Sequence, residues 1–132
     1  MNANDGFPPE LPAIIGGDLN TTTVELSSPA SLIKAMALSL LRPERFHNPQ
    51  RFEPLFERLR EAGFETTDAN VTDTPTFTPI RLIPPIVRPK LDWLAVRGVR
   101  PIIGSAAVVP ARMSLFSRRF SDHDFVMCLV EA

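Results

Sequence analysis

The apolar residues form three kinds of pattern along the chain. A short continuous run comes first, two segments with helical spacing come next, and several strand-like segments come last. The run from Leu11 to Gly17 is apolar, ends in glycines and is too short for a helix, so it predicts a buried strand. Residues 30–41 carry apolar side chains at helical spacing. Ser28 is the expected N-cap of this helix, and Pro29 is its expected first residue.

A second helix is predicted from Pro49 to Ala62, where the apolar residues lie on one stripe. Gly63 follows it as the expected C-terminal glycine. Pro54 falls inside this pattern and lacks the backbone N–H that a helix interior needs. It therefore either kinks the helix or moves the start of the helix to about residue 53.

The second half of the chain predicts a long loop followed by strands. Residues 66–89 are rich in Thr and Pro, and only 76–78 reads as a brief strand. Strand patterns then occupy 90–96, 99–109 (interrupted by a glycine) and 124–130. This order predicts an α/β (α+β) fold: one mixed, mostly antiparallel sheet with helices on one face.

Length and composition fit one globular domain without internal cross-links. The chain has 132 residues, 44% of them hydrophobic, and a single cysteine. Residues 1–10 are polar and rich in Pro and Gly, so they read as a linker. They have no signal-peptide pattern, and no apolar stretch approaches the roughly 20 residues that span a bilayer. The chain is therefore expected to be soluble as given.

Charge is distributed unevenly although the net charge is only -1. Residues 78–120 hold one acidic side chain, Asp92, and a large basic excess. The basic residues there are Arg81, Arg88, Lys90, Arg97, Arg100, Arg112, Arg118 and Arg119. Two interpretations remain open: an ordinary solvated face, or a positive rim that attracts a phosphorylated substrate.

Residues 16–20 (GGDLN) form the first motif that carries chemistry. Glycines that end a strand allow a sharp turn, and strand alternation would direct Asp18 and Asn20 to the same side. A carboxylate and an amide in that position can orient a water and bind a phosphoryl oxygen. Taken alone, the motif is more simply explained by a plain Gly-Asp turn.

Asp92 is the second candidate, because it interrupts an otherwise apolar strand. A carboxylate within a buried strand is costly without a partner. If the partner of Asp92 is an arginine, the ion pair has a structural role. If the partner is a histidine, the pair has a functional role, because the carboxylate then fixes the tautomer of the ring and stabilises the imidazolium.

Residues 121–123 (SDH), just before the last strand, form the third motif. His123 is suited to proton exchange near neutral pH, and Asp122 offers hard oxygen ligation to a divalent cation. Taken alone, an Asp-His pair is more often a surface turn.

The three motifs together resemble the C-terminal half of the endonuclease/exonuclease/phosphatase superfamily. That family carries a strand-ending GD-hydrophobic-N, then an R-hydrophobic-D-aromatic strand, and finally SDH before a small apolar strand. The sequence matches with GGDLN at 16–20, KLDW at 90–93 and SDH at 121–123. Lys90 stands where the family more commonly has arginine, and the TPTFT segment at 74–78 is similar to a short Thr-hydrophobic segment of the family.

The resemblance implies metal-dependent hydrolysis of a phosphate ester, by a phosphodiesterase, nuclease or phosphatase. Asp18 and Asn20 would orient the attacking water and stabilise the transition state, with Asn20 on the phosphate. His123 would contact the scissile phosphate, and Asp92 would hold its imidazole. Asp122 would help to bind Mg²⁺ or Mn²⁺. The net charge does not demand a nucleic-acid substrate, but the local basic excess leaves one open.

The resemblance also implies that residues 11–132 are half of a four-layer α/β sandwich of about 250 residues. The family's other half supplies an asparagine and a metal-binding glutamate that have no counterpart here. We therefore expect that function needs upstream sequence, and that a missing N-terminal half or self-association covers an apolar sheet face. An inactive interaction module is the alternative. A different metallophosphoesterase type would need more histidines than the two present.

Overall fold

The computed structural model describes residues 11–21, 28–78, 88–112 and 119–132, so the expected linker at 1–10 lies outside the described residues. The helices are α1 (Pro29–Leu41), α2 (Glu44–His47) and α3 (Pro54–Glu61), with a 3₁₀ turn at Pro49–Arg51. The strands are β1 (Ala13–Asp18), β2 (Asp92–Arg97), β3 (Arg100–Pro101), β4 (Ala107–Val109), β5 (Phe125–Met127) and β6 (Val130–Glu131). Mixed helix and antiparallel strand content confirms the α/β class in this coarse sense.

Helix α1 begins where its sequence predicts. Ser28 is extended (φ -139°), and its hydroxyl accepts a hydrogen bond from the Ser31 N–H at 3.1 Å. The Ser31 hydroxyl in turn accepts from the Ser28 N–H at 2.9 Å, which completes a reciprocal cap. Within the described ranges, no helix is both long and apolar enough to cross a membrane.

Pro54 decides where α3 starts. Glu53 is extended (φ -97°, ψ 121°), because a residue that precedes proline is pushed out of the helical region. Of the two outcomes left open by the sequence, the later start is therefore correct, and the segment before it is a separate 3₁₀ turn. The helix buries Phe56 edge-on against Trp93, with ring centroids 4.8 Å apart.

Described strands form three two-stranded antiparallel sheets, β1–β2, β3–β6 and β4–β5, where the sequence predicted one larger sheet. The last apolar run divides because its two ends pair with different strands. Between the two ends, the Leu129 N–H donates to the Ser105 hydroxyl at 3.0 Å, and the Leu129 carbonyl accepts from the Ile102 N–H at 2.8 Å. This exchange of partners ends β5 before β6 begins.

Strand β2 is the centre of the structure. One edge pairs with β1, and the other edge is closed by Glu65 and by the side chain of Asn70. The Asn70 amide accepts from the Leu94 N–H (2.9 Å) and donates to the Leu94 carbonyl (2.7 Å), so it replaces a neighbouring strand. Trp93 is fully buried.

Strand β1 is not buried, so that part of the prediction is wrong. Ile14 is 59% exposed and Ile15 is 40% exposed. The reason is that β1 contacts the rest of the described structure mainly along the edge that pairs with β2. The described residues do not pack over the side chains of Ile14 and Ile15. An apolar strand left open in this way is a candidate surface for a further layer.

Candidate active site

Antiparallel pairing of β1 with β2 places two acidic residues opposite each other. Asp18 at the end of β1 pairs with Asp92 at the start of β2, and the Leu19 N–H extends the pairing to the Leu91 carbonyl at 3.0 Å. Residues directly opposite on antiparallel strands share one face. The first two sequence motifs therefore meet at one edge of the β1–β2 pair.

Both glycines of the first motif have a structural reason. A side chain at Gly16 would place its Cβ 2.8 Å from a methyl group of Leu94, too close without movement. Gly17 has φ +136°, a conformation that residues with side chains rarely adopt. The two glycines thus allow β1 to reach β2 and to present Asp18 at its end.

Asn20 holds the turn that follows. It adopts φ 48°, and its N–H donates to Asp18 Oδ1 at 2.8 Å. Strand β1 ends at Asp18, so the alternation of side chains along a strand no longer fixes the direction of the Asn20 side chain. The contact observed for Asn20 is made by its backbone N–H. The hydrogen bond leaves Oδ2 of Asp18 available to face the centre of the site.

Asp92 is held in place from the side by Thr76. The Thr76 hydroxyl is fully buried and accepts from the N–H groups of Leu91 and Asp92, each at 3.0 Å. The Asp92 side chain is 12% exposed. A buried carboxylate on a backbone fixed at two points can hold a partner in one orientation.

His123 reaches the site on a short two-stranded ribbon formed by residues 76–78 and 122–124. The Thr78 N–H donates to the Asp122 carbonyl, and the Asp124 N–H donates to the Thr76 carbonyl, both at 2.7 Å. Phe77 and His123 are the bridged pair between these bonds, and their ring centroids lie 4.8 Å apart. The Phe77 ring thus supports the imidazole.

The imidazole joins the two aspartates. His123 Nδ1 lies 2.9 Å from Asp92 Oδ2, a hydrogen bond, and Nε2 lies 3.9 Å from Asp18 Oδ2, too long for one. With Asp92 accepting from Nδ1–H, the neutral ring has its lone pair on Nε2. Of the two partners left open by the sequence, Asp92 therefore has a histidine, not an arginine.

Charges around His123 favour its protonated form. Burial would lower its pKa, but the hydrogen bond that its Nδ1–H donates to Asp92 and the charges of Asp92, Asp18 and Asp122 outweigh that effect, so the pKa of His123 is raised. A histidine with a raised pKa is an effective proton donor near neutral pH. Perturbed ionisation beside two carboxylates is typical of a functional site.

Lys90, two residues before Asp92, is part of the buried core. The residue is fully buried, its Nζ has no hydrogen-bond partner within the described residues, and it lies 4.6 Å from the Trp93 ring centroid. Burial lowers the pKa of Lys90 to about 8, although the charge of Asp92 opposes the shift. The Lys90 carbonyl accepts from the Thr21 hydroxyl at 2.9 Å.

Asp18, Asp92 and His123, which the three motifs predict to belong to one site, are neighbours in the structure, whereas the motifs give no role to Thr76 or Phe77. The available signal was the Thr-Phe-Thr alternation at 76–78, which matches a brief strand with Phe77 on one face and threonines on the other. Only the tertiary structure assigns Phe77 to His123, through the register of the ribbon, and Thr76 to Asp92, through the Thr76 hydroxyl.

A metal centre is not complete within the described part of the chain. No group of three or more His, Cys, Asp or Glu side chains is arranged there to hold an ion. Asp122 is exposed and close enough to His123 to raise the pKa of its ring. Asp92 is hydrogen-bonded to the imidazole, so among the three motifs Asp18 and Asp122 are the carboxylates that could bind a metal ion. Two carboxylates supply fewer oxygen ligands than a six-coordinate site requires.

Comparisons with known proteins give no relative for this chain. No family model matches it, and neither the curated proteins nor the solved structures contain a significant match. The three motifs and the geometry that brings them together are therefore the features that indicate a function.

Proposed function

We propose that this chain carries the Asp18–His123–Asp92 part of the catalytic site of a metal-dependent phosphate-ester hydrolase. The supporting observation is the convergence of three motifs from distant parts of the sequence on one imidazole, at 2.9 Å from Asp92 and 3.9 Å from Asp18. If each motif were an ordinary surface turn, the three would not be expected to lie together at one histidine. The order of the motifs resembles the superfamily named above.

The chemistry follows from the two sides of the His123 ring. Asp92 holds Nδ1–H, so Nε2 is the atom that can give a proton to the departing oxygen or stabilise charge on the phosphoryl group. Asp18 lies across from Nε2 and can orient the attacking water or accept its proton. Water then forms the new P–O bond as the bond to the leaving oxygen breaks.

Asn20 and Asp122 complete the proposed assignment at the rim. The side-chain amide of Asn20 would bind a phosphoryl oxygen, and Asp122 would contribute one oxygen to Mg²⁺ or Mn²⁺. The described residues do not make a whole metal site. A divalent ion would neutralise charge on the phosphoryl group, and the resemblance implies that its glutamate ligand comes from upstream sequence.

Apolar surface on the sheets supports a second half. On the β4–β5 pair, Val109 lies opposite Phe125 and Ala107 opposite Met127, and all four are exposed. Together with β1 this surface would be covered in a four-layer sandwich, of which residues 11–132 would form one half. Self-association of two copies through the same surface is the alternative arrangement.

The second candidate function is an inactive module that binds a partner through this surface. The incomplete metal site among the described residues is the observation that favours it. The two candidates differ in one respect that an assay can measure. The enzyme requires His123 for turnover, whereas the module requires only the apolar face for association.

The test is hydrolysis of a chromogenic phosphodiester and a phosphomonoester by the polypeptide that contains this segment in its source cells. We expect activity that needs Mg²⁺ or Mn²⁺, is lost with a chelator and falls roughly 10²–10⁴-fold in His123→Ala. His47→Ala is the matched control, because His47 is the other histidine and belongs to none of the three motifs. Activity that His123→Ala retains would remove His123 from the mechanism.

A further inference from the structure

Helix α1 exposes apolar side chains where a surface helix normally carries polar ones. Ile33, Leu40 and Leu41 are 69%, 68% and 78% exposed, and Ala37 between them is also exposed. Residues that follow one another at intervals of four, three and one lie on one face of a helix. These four residues therefore form one continuous surface, the apolar stripe of α1.

Little of the described structure covers this stripe. Among the described elements, α1 packs chiefly on α2, which packs on the 3₁₀ turn, and that turn packs on α3. Helix α3 is the one that reaches Trp93 of β2, so α1 is the helix furthest from β2 in this series of contacts. A second half that covered the sheets would leave α1 open, because helices form the outer layers of a four-layer sandwich.

Unpaired basic side chains border the stripe. Lys34 is exposed at one edge of it, and Arg42 is exposed directly after Leu41. Neither side chain forms an ion pair within the part of the chain that the structure describes. Arg45 adds a third positive charge near the same end, against a single carboxylate, that of Glu44. The helix and its C-terminal flank are thus both apolar and positively charged.

A protein partner and a lipid surface place different demands on such a stripe. A protein interface of standard size uses roughly 20–30 residues on each side, several times the extent of this stripe. Two copies joined through the stripe would also bring their basic borders close together. A lipid surface accepts the apolar side chains of a single helix face, and anionic headgroups attract the lysine and arginine beside it. The size and charge of the stripe therefore favour a lipid surface.

We infer that α1 docks on the surface of an anionic lipid bilayer. The apolar stripe enters the boundary between headgroups and acyl chains, and Lys34 and Arg42 lie at the level of the lipid phosphates. A helix of 13 residues is about 20 Å long, shorter than the roughly 30 Å hydrocarbon core, so α1 lies on the bilayer and does not cross it. The inference holds whether or not the imidazole site hydrolyses phosphate esters.

The test is co-sedimentation of the purified protein with sucrose-loaded vesicles of phosphatidylcholine, either alone or mixed with phosphatidylserine. We expect stronger binding to the mixed vesicles, weakened by salt because exposed charges are screened. Ile33→Ser with Leu40→Ser should lower the partition coefficient by roughly tenfold or more. Lys34→Gln and Arg42→Gln should each lower it about fivefold on the mixed vesicles.

Matched controls remove similar groups from other parts of the surface. Ile103→Ser deletes an isoleucine that is 83% exposed outside α1, and Arg100→Gln removes an exposed charge from β3. Both variants should bind the vesicles as the wild type does. Ala37→Leu enlarges the stripe and should strengthen binding, a gain that a failure to fold would not produce.

A ring placed on the stripe gives a second, independent measurement. In Leu41→Trp the emission of the new ring should shift to the blue with mixed vesicles, whereas the native Trp93 is fully buried and should not respond. Absence of co-sedimentation with the mixed vesicles, or an equal loss in Ile103→Ser, would overturn the inference. A vesicle-free dimer that Ile33→Ser with Leu40→Ser converts to a monomer would also overturn it, because a second copy would then cover the stripe.

Discussion

Asp18 and Asp92 lie opposite each other across the β1–β2 pair, and the imidazole of His123 joins their carboxylates. Two negative charges in directly paired positions repel, so the pair needs a cation to be stable. The ring of His123 becomes that cation when it is protonated. One arrangement thus explains both the raised pKa of His123 and the tolerance of two facing carboxylates.

Asp92→Asn should lower the pKa of His123. The variant removes the strongest favourable partner of the imidazolium and leaves burial to act in the opposite direction. NMR titration of the His123 ring protons measures the effect, with the wild-type pKa expected above 6.5. An unchanged pKa in the variant would mean that Asp92 does not stabilise the charged ring.

The same pair should make stability depend on pH in a defined direction. A pKa raised on folding stabilises the protein fully below the unfolded value of 6.5, and this contribution is lost as pH rises through the folded pKa. Urea unfolding across that window measures the loss. The loss should be smaller in Asp92→Asn, and an equal loss in both proteins would assign the pH dependence to other groups.

Thr76→Val should destabilise the fold by about 2–4 kcal/mol. The change leaves the buried N–H groups of Leu91 and Asp92 without an acceptor while it keeps the shape of the side chain. Thr76→Ser keeps the acceptor and should recover most of this stability. Thr67→Val, at an exposed threonine, is the matched control for the urea unfolding measurement. A cost no larger than that of the control would refute the role given to Thr76.

Lys90→Met should stabilise the protein by about 2 kcal/mol near neutral pH, because a buried ammonium without a hydrogen bond is replaced by an apolar side chain of similar length. The pKa of Lys90 is lowered to about 8 on folding from 10.5, so the unfolded chain holds more protons between these values. Wild-type stability should therefore rise with pH in that window, and Lys90→Met should remove the rise.

Lys34→Met, at an exposed lysine of α1, is the control for Lys90→Met. Thermal or urea unfolding of both variants at several pH values gives the comparison. Destabilisation by Lys90→Met alone would mean that the ammonium stabilises Asp92 by more than its own burial costs.

Phe125→Ser with Met127→Ser should reduce association of this chain with itself or with the proposed second half. Both side chains are exposed on the β4–β5 face, at 51% and 55%, and their removal deletes apolar area that a partner would bury. Light scattering after size exclusion measures the mass of the complex. Ile33→Ser, at an apolar position of α1 that is 69% exposed, is the control. An unchanged mass would mean that another surface forms the contact.

Sequence by itself determined the local features of this protein. Ser28 and Pro29 start α1, and Pro54 delays α3, because caps and prolines act on their own backbone within one turn. The motifs at 16–20, 92 and 121–123 also predicted that Asp18, Asp92 and His123 would be neighbours, since a carboxylate in an apolar strand needs a partner wherever it lies.

Tertiary structure alone decided which partner each of these residues has. The register of β1 on β2 pairs Asp18 with Asp92, and the ribbon at 76–78 brings His123 and Phe77 to them. Asp18 and Asp92 are 74 residues apart in the sequence, and Asp92 and His123 are 31 residues apart. Pairing over such separations depends on hydrogen bonds that no local pattern specifies. The same holds for the exposure of β1, because burial depends on what packs above a strand as well as on its composition.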